Sequence, residues 1–284
     1  MGRIARIVSA LVVLCAALCA QPQQIRMEPV HDAGQSVTPA FEGWFQNPDG
    51  TYSILFGYFN RNAKEELDIP IGPNNRLEPG GPDNGQPTHF ATRRQWGAFT
   101  ATVPKDFGTQ KLIWTLIANG VTTSIPASLD PLWELSPLHD ATGNTPPFIG
   151  FSATGPFTQG PRGQSQSMQT AVGKPLELTA WLADDANVVP GATRPRTPAA
   201  TASWSKFRGT GDMTFSNATP PPRESEFAAP PKTTFHAKAI TTATFSEPGE
   251  YILRIVSNDY SGEGGRGFQC CWSNAQVKVV VTSK

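Results

Sequence analysis

The chain has 284 residues, enough for one large domain or two of ordinary size, and its 23 basic and 23 acidic residues balance. With 26 Gly and 27 Pro it is rich in turns, while 16 Phe and 7 Trp can still fill a core. The even charge offers no basic stripe to a phosphate backbone, which excludes nucleic acid as an expected partner.

Residues 1–20, MGRIARIVSALVVLCAALCA, have a basic start (Arg3, Arg6), an apolar run from Ile7 to Leu18 and small residues before Gln21. That is the layout of a secretory signal peptide cleaved after Ala20, and it predicts a secreted or periplasmic protein. The competing reading, a retained anchor, needs a longer apolar run, and no later stretch reaches the roughly 20 residues of a membrane span. Loss of Arg3 and Arg6 leaves 21 basic against 23 acidic residues. Of the four cysteines only Cys270 and Cys271 survive such cleavage.

Residues 21–40 carry Pro22, Pro29 and Pro39 and read as an extended lead-in. Strand signals follow over Phe41–Phe45 and, after the turn Asn47-Pro48-Asp49-Gly50, over Thr51–Asn60. Leu67–Ile71 is a short strand, and Pro73–Pro87, full of Gly, Pro and Asn, reads as a long loop. Trp96–Val103 alternates as a strand. Lys111–Ala118 and Val121–Ile125 flank Asn119-Gly120 as the clearest hairpin. This is the strand spacing of an immunoglobulin-like sandwich, over residues 41–144. Residues 126–165 are broken by seven prolines, and Leu132, Trp133 and Leu135 are expected to dock on the first domain as a strap. A second sandwich is predicted over 145–284. Its strands are Leu176–Ala183, Ala202–Phe207, Asp212–Ser216, Ile240–Phe245, Gly249–Asp259 and Asn274–Thr282, with loops at Asp184–Ala200, Ser216–Lys232 and Tyr260–Trp272. The fold class is therefore all-β, two immunoglobulin-like β-sandwich domains after a signal peptide.

In residues 170–282, Trp204, Gly209, Gly211, Phe215, Phe245, Pro248, Gly249, Tyr251, Leu253 and Asp259 resemble the polycystic-kidney-disease-type (PKD) and related immunoglobulin-like repeats of secreted proteins. Pro248-Gly249 would turn into a strand on which Tyr251 packs its ring and returns its hydroxyl to the turn, with Trp204 in the facing sheet. The first half, from FEGWFQNPDGTYSILFGYFNRN to KLIWTLIANG, resembles a group of uncharacterised secreted bacterial proteins. That likeness implies a sandwich and a secreted location, and no activity.

The chemistry-bearing residues are sparse. His31, His89, His139 and His236 are scattered, and neither a nucleophile elbow nor a His-Glu-x-x-His pair occurs. The carboxylates Glu65, Glu66, Asp68, Asp184 and Asp185 could supply a hydrolase pair, but spacing selects none. No cofactor is required. Calcium is the one ion considered, on Asp184, Asp185 and Asp259, against turn-capping and strand-ending roles for the same residues. Trp96, Trp133 and Trp272 could stack on a glycan or could plug the ends of the sandwiches. Cys270 and Cys271 have three options: free thiols on opposite faces of a strand, a vicinal disulfide, or bonds to another chain. In an oxidising compartment the vicinal disulfide is the expectation, as an apolar knob beside Phe268 and Trp272 at the domain rim. The reading that results is a non-catalytic adhesion, scaffold or interaction protein, meeting a protein or glycan at the cell surface or in the periplasm. A glycan-binding module and a carboxylate-based hydrolase are its rivals.

Overall fold

Period-two alternation and Pro/Gly-rich joints leave this chain little besides strands, and the computed structural model is all-β over the residues it describes, 30–188, 198–260 and 270–283. The expected leader lies outside the described residues, as do residues 21–29 of the lead-in and the middles of the loops at 184–200 and 260–272.

The first sandwich comprises β1 (Val37–Gln46), β2 (Tyr52–Asn60), β3 (Leu67–Asp68), β4 (Asn75–Glu78), β5 (His89–Phe90), β6 (Arg93–Val103), β7 (Leu112–Ala118) and β8 (Val121–Ala127). One sheet has the order β1-β2-β6, the other β4-β7-β8, and β3 pairs with β5 in a short ribbon. Asn119 and Gly120 both take positive φ, 48° and 75°, as the tight turn between β7 and β8 requires. The core is aromatic. Phe56 stacks on Phe99 at 5.2 Å, and Trp114 meets both edge-on at 5.7 and 5.0 Å.

Two expectations are corrected in this half. Strand β1 starts at Val37, inside the expected lead-in, and tolerates Pro39 because it is the outermost strand of its sheet. The predicted loop Pro73–Pro87 contains β4, which pairs with β7. The cause is Asn75. Its buried amide donates to Ile69 O (3.0 Å) and Pro87 O (2.7 Å) and accepts from Trp114 Nε1 (3.1 Å), so one side chain ties the segment to the core.

The second sandwich comprises β9 (Phe148–Gly150), β10 (Phe157–Thr158), β11 (Ser165–Ala171), β12 (Leu176–Asp184), β13 (Ser203–Arg208), β14 (Met213–Phe215), β15 (Arg223–Glu224), β16 (Phe235–Phe245), β17 (Gly249–Asn258) and β18 (Trp272–Thr282). One sheet runs β10-β9-β12-β16-β14, with β15 on β16, and the other runs β11-β18-β17-β13. Leu178, Ala180 and Leu182 of β12 face Ala275, Val277, Val279 and Val281 of β18 across the core. Strand β11 runs parallel to β18, whereas its neighbours are antiparallel.

The stretch 126–165 is less irregular than its prolines suggest. Strand β9 pairs with β12 and buries Ile149 completely. Strand β16 starts five residues before the expected Ile240, and β15 occupies part of the expected loop 216–232. The Tyr251 hydroxyl donates to Glu247 O at 3.0 Å. A Cβ on Gly209 would collide with its ring and one on Gly211 with its hydroxyl, so both glycines are explained by the space that Tyr251 takes.

The outward face of β13, β17 and β18 packs on the first sandwich. Phe207 enters the first core, with Ile252 beside it. Arg254 donates to Gly97 O at 2.7 Å, and Arg208 clamps Asp83 through both terminal nitrogens at 2.8 and 2.9 Å. Thr88 N donates to Phe207 O at 3.1 Å. Polar bonds and apolar contact at one joint bring the two sandwiches together in one compact unit.

Candidate functional site

Between β8 and β9 the chain leaves the sheets and runs along the edge of β1. Asp130 starts this strap. Its carboxylate accepts from Leu132 N at 3.0 Å and caps the short 3-10 turn Pro131–Trp133. Its carbonyl accepts from Trp44 Nε1 at 2.8 Å, and Leu135 N donates to Trp44 O at 2.8 Å. Strand β1 bulges between Phe41 and Gly43 to admit the strap. A Cβ on Gly43 would run into Leu135 and Trp133 O.

The strap is thus fastened by its backbone, and only part of its apolar content docks. Leu135 is partly buried against the small cluster of Leu55, Val256 and Trp272. Leu132 is 90% exposed, and Trp133 and Leu138 are 50% exposed. Of the three residues expected to dock on the first domain, Leu135 and, through Phe41, Trp133 touch it, while Leu132 stays outward because the bonds that hold the strap come from its main chain. The Trp133 ring lies tilted against Phe41 at 5.4 Å. Beside it, Phe45–Pro48, Glu134–His139, Gln159, Pro161 and Arg162 line a largely apolar groove of about 540 Å³, to which both sandwiches contribute.

The other sequence-predicted residues sit elsewhere. Trp96 is half-buried under the Arg94 guanidinium, 3.9 Å from the ring centre. Trp272 is 2% exposed and packs on Gly97, so it cannot offer a ring to a glycan. Strand β18 begins at Trp272, two residues earlier than read from sequence, and carries that ring inward.

Asp184 ends β12 in a buried position; its Oδ1 accepts from Ala186 N at 2.8 Å and its Oδ2 has no hydrogen-bond partner among the described residues. Burial first, then the charges of Asp185 and Asp259, push its carboxyl up to about 7. Asp185 accepts from Thr145 Oγ1 (2.8 Å) and Asp259 from Asn144 Nδ2 (2.6 Å), so adjacent residues of one segment hold the two. The three aspartates share one end of the second sandwich. Among the described residues, however, no three His, Cys, Asp or Glu side chains converge as metal ligands.

Cys270 and Cys271 are joined by a disulfide, with Cys271 Sγ 3.3 Å from Asn144 O. Both are buried, which corrects the expectation of an exposed knob: the pair leads directly into β18 and is drawn into the body with it. Phe268 lies outside the described residues.

The carboxylates of the hydrolase reading are engaged in the scaffold. Glu65 accepts from Gly34 N at 2.6 Å. His89 is gripped from both ring nitrogens, by Asp68 at Nδ1 and Glu66 at Nε2, each at 2.9 Å. Asp68 also receives Lys206 Nζ of the second sandwich at 3.3 Å. Burial opposes charge on His89, but its bonds to the two carboxylates outweigh burial and hold it above its ordinary value. A histidine with both nitrogens so held has none left for a substrate proton. At the joint, Glu42 is buried, bonded to Arg94 and to Gly97 N (2.7 Å), and burial raises its carboxyl despite Arg94.

Sequence reasoning missed the groove, and it missed an aromatic group on the outer face of the second sandwich. There Phe227 packs on Phe157 at 5.6 Å and on Trp181 at 5.2 Å, fastening the 216–234 loop across the sheet. Outward alternation of Trp181 and Lys238 was the available signal.

No family model and no curated protein matches the chain. Partial likenesses among solved structures include a PapD-like domain of human CEP192, at 12% identity over 53% of this chain and 92% of that one, with TM-score 0.24. Domains 4 and 5 of the S-layer protein SbsC match at 11% identity over 87% and 98%, with TM-score 0.22. CfaE, the adhesive subunit of CFA/I fimbria of enterotoxigenic Escherichia coli, matches at 8% identity over 91% and 81%, with TM-score 0.24.

Proposed function

We propose that this is an exported, non-catalytic interaction protein that meets a partner protein through the strap Asp130–His139, with the two sandwiches as a stiff mount. The observation that carries this reading is the exposure of Leu132, Trp133 and Leu138 on a segment whose backbone is tied down at Asp130 and Leu135. Apolar side chains on a backbone that is already fixed lose less entropy on binding, and such patches mark interaction sites. The adjoining groove gives a partner side chain somewhere to enter. Engagement of Glu65, Glu66, Asp68 and His89 in scaffold bonds favours binding over hydrolysis. The likeness of residues 170–282 to PKD-type repeats accords with an extracellular or periplasmic setting, as does the leader expected over residues 1–20.

The test is retention of the purified mature chain on the cell envelope of its source, compared with a Leu132→Ser/Trp133→Ser variant. A glycan array run in parallel separates a protein partner from a sugar stacked on Trp133.

A further inference from the structure

A second recess lies where the outward face of β18 and β11 extends past the edge of the first sandwich. Its wall is Ala98–Thr100 of β6, the last strand of its sheet. Its floor is the outward row of β18, Asn274, Gln276 and Lys278, with Ser165 of β11 paired beside Gln276. Its end is the loop Pro161–Gln164, and it encloses about 310 Å³.

The lining is polar and one-signed. Arg162 and Lys278 are its charged groups, and among the described residues no acidic one lines it. Asp49 feels the charge of Arg162 but stands outside the lining. The neutral polar groups are amides and hydroxyls, which both donate and accept, as sugar hydroxyls do. Two of these amides are already fixed. Gln164 Nε2 donates to Ile149 O (3.2 Å) and Pro156 O (3.0 Å), which orients its oxygen as an acceptor. Asn274 Nδ2 donates to Gly97 O at 3.4 Å. Gly163, at φ 63°, lets the loop sit against Asn274, where any Cβ would collide. The recess is therefore shaped before a ligand arrives, lies at a junction of two domains, and has the size of a small site, about 300 Å³ or more.

We infer that this recess binds a sugar unit carrying a carboxylate, with Arg162 and Lys278 on the carboxylate and the amides of Gln164, Asn274 and Gln276 on the hydroxyls. Pro161 and Arg162 also line the strap groove, so the sugar site adjoins the proposed protein contact but includes none of Leu132, Trp133 and Leu138. The inference stands on different side chains and survives failure of the strap reading.

The experiment is titration calorimetry of the full mature chain with sodium glucuronate, glucose and sodium sulfate at low ionic strength. Glucuronate is expected to bind, glucose not to, and sulfate to bind at least about tenfold more weakly, because the amides have no hydroxyls to meet on it. Arg162→Gln and Lys278→Gln are exposed changes that should leave melting unaltered and weaken glucuronate about tenfold each. Gln276→Leu should weaken glucuronate but not sulfate. Equal affinity for glucuronate and sulfate would reduce the recess to a simple anion site and overturn the inference. So would glucose binding as well as glucuronate, no glucuronate binding, or variants that bind like the parent.

Discussion

The ring of Trp272 lies directly against the Cα of Gly97, and that contact sets the joint between the two sandwiches. Gly97 takes φ 50° in β6, its N–H goes to Glu42 and its carbonyl accepts Arg254. A methyl group there would strike the ring and strain the backbone together. Gly97→Ala should therefore cost roughly 3 kcal/mol, read as a fall in the denaturation midpoint. The unfolding transition should also broaden as the two cores uncouple. A variant within 0.5 kcal/mol of the parent, a threshold set by ordinary surface changes of about that size, would show that the joint tolerates a Cβ.

Asp184 gives a pH dependence with a definite sign. Its carboxyl is raised from about 3.8 to about 7 in the folded chain, so the folded state holds the proton that the unfolded state has released. Stability from this group is full below about pH 4 and is lost as pH climbs towards 7. Asp184→Asn keeps an oxygen for Ala186 N and removes the buried charge. It should stabilise the protein by roughly 1–3 kcal/mol at pH 8 and by little at pH 4. Chemical denaturation at the two pH values decides this, and a variant less stable at pH 8 would refute the assignment.

The His89 group works in a neighbouring window. The raised ring contributes stability below about pH 6.5 that is lost as pH rises through its folded value. Glu66 is lowered first by its bond to His89, and Asp68 by the same ring and Lys206 against burial. Their share is present above about pH 4 and is lost on acidification. His89→Gln should flatten the stability profile between these limits and cost under about 1 kcal/mol, because the two carboxylates are half exposed and screened. An unchanged profile would contradict the assignment.

Non-reduced monomer should weigh two hydrogens less than its reduced form, with no alkylation of Cys270 or Cys271 before unfolding, since both are buried and bonded to each other. A disulfide-linked dimer on a non-reducing gel would contradict this.

What could be read from sequence was local. Asn119-Gly120 announces its hairpin, and Pro248-Gly249 followed by Tyr251 announces the tyrosine corner, because the residues that bond are close in the chain. Strand β4 was hidden because Asn75 is held by Ile69, Pro87 and Trp114, and a Gly/Pro-rich setting carries no trace of such bonds. The burial of Trp272 depends on a glycine 175 positions away. The recess and the groove exist only where the two sandwiches meet, so no single stretch of sequence encodes either.

The central claim is that the strap is a contact surface, and the most direct measurement is envelope retention of the Leu132→Ser/Trp133→Ser chain against the parent. Leu132 faces solvent and Trp133 gives up only its contact with Phe41, so folding stability should fall by no more than about 1–2 kcal/mol. Loss of two apolar anchors should weaken retention at least about tenfold. Retention equal to the parent's, with folding intact, would contradict the account.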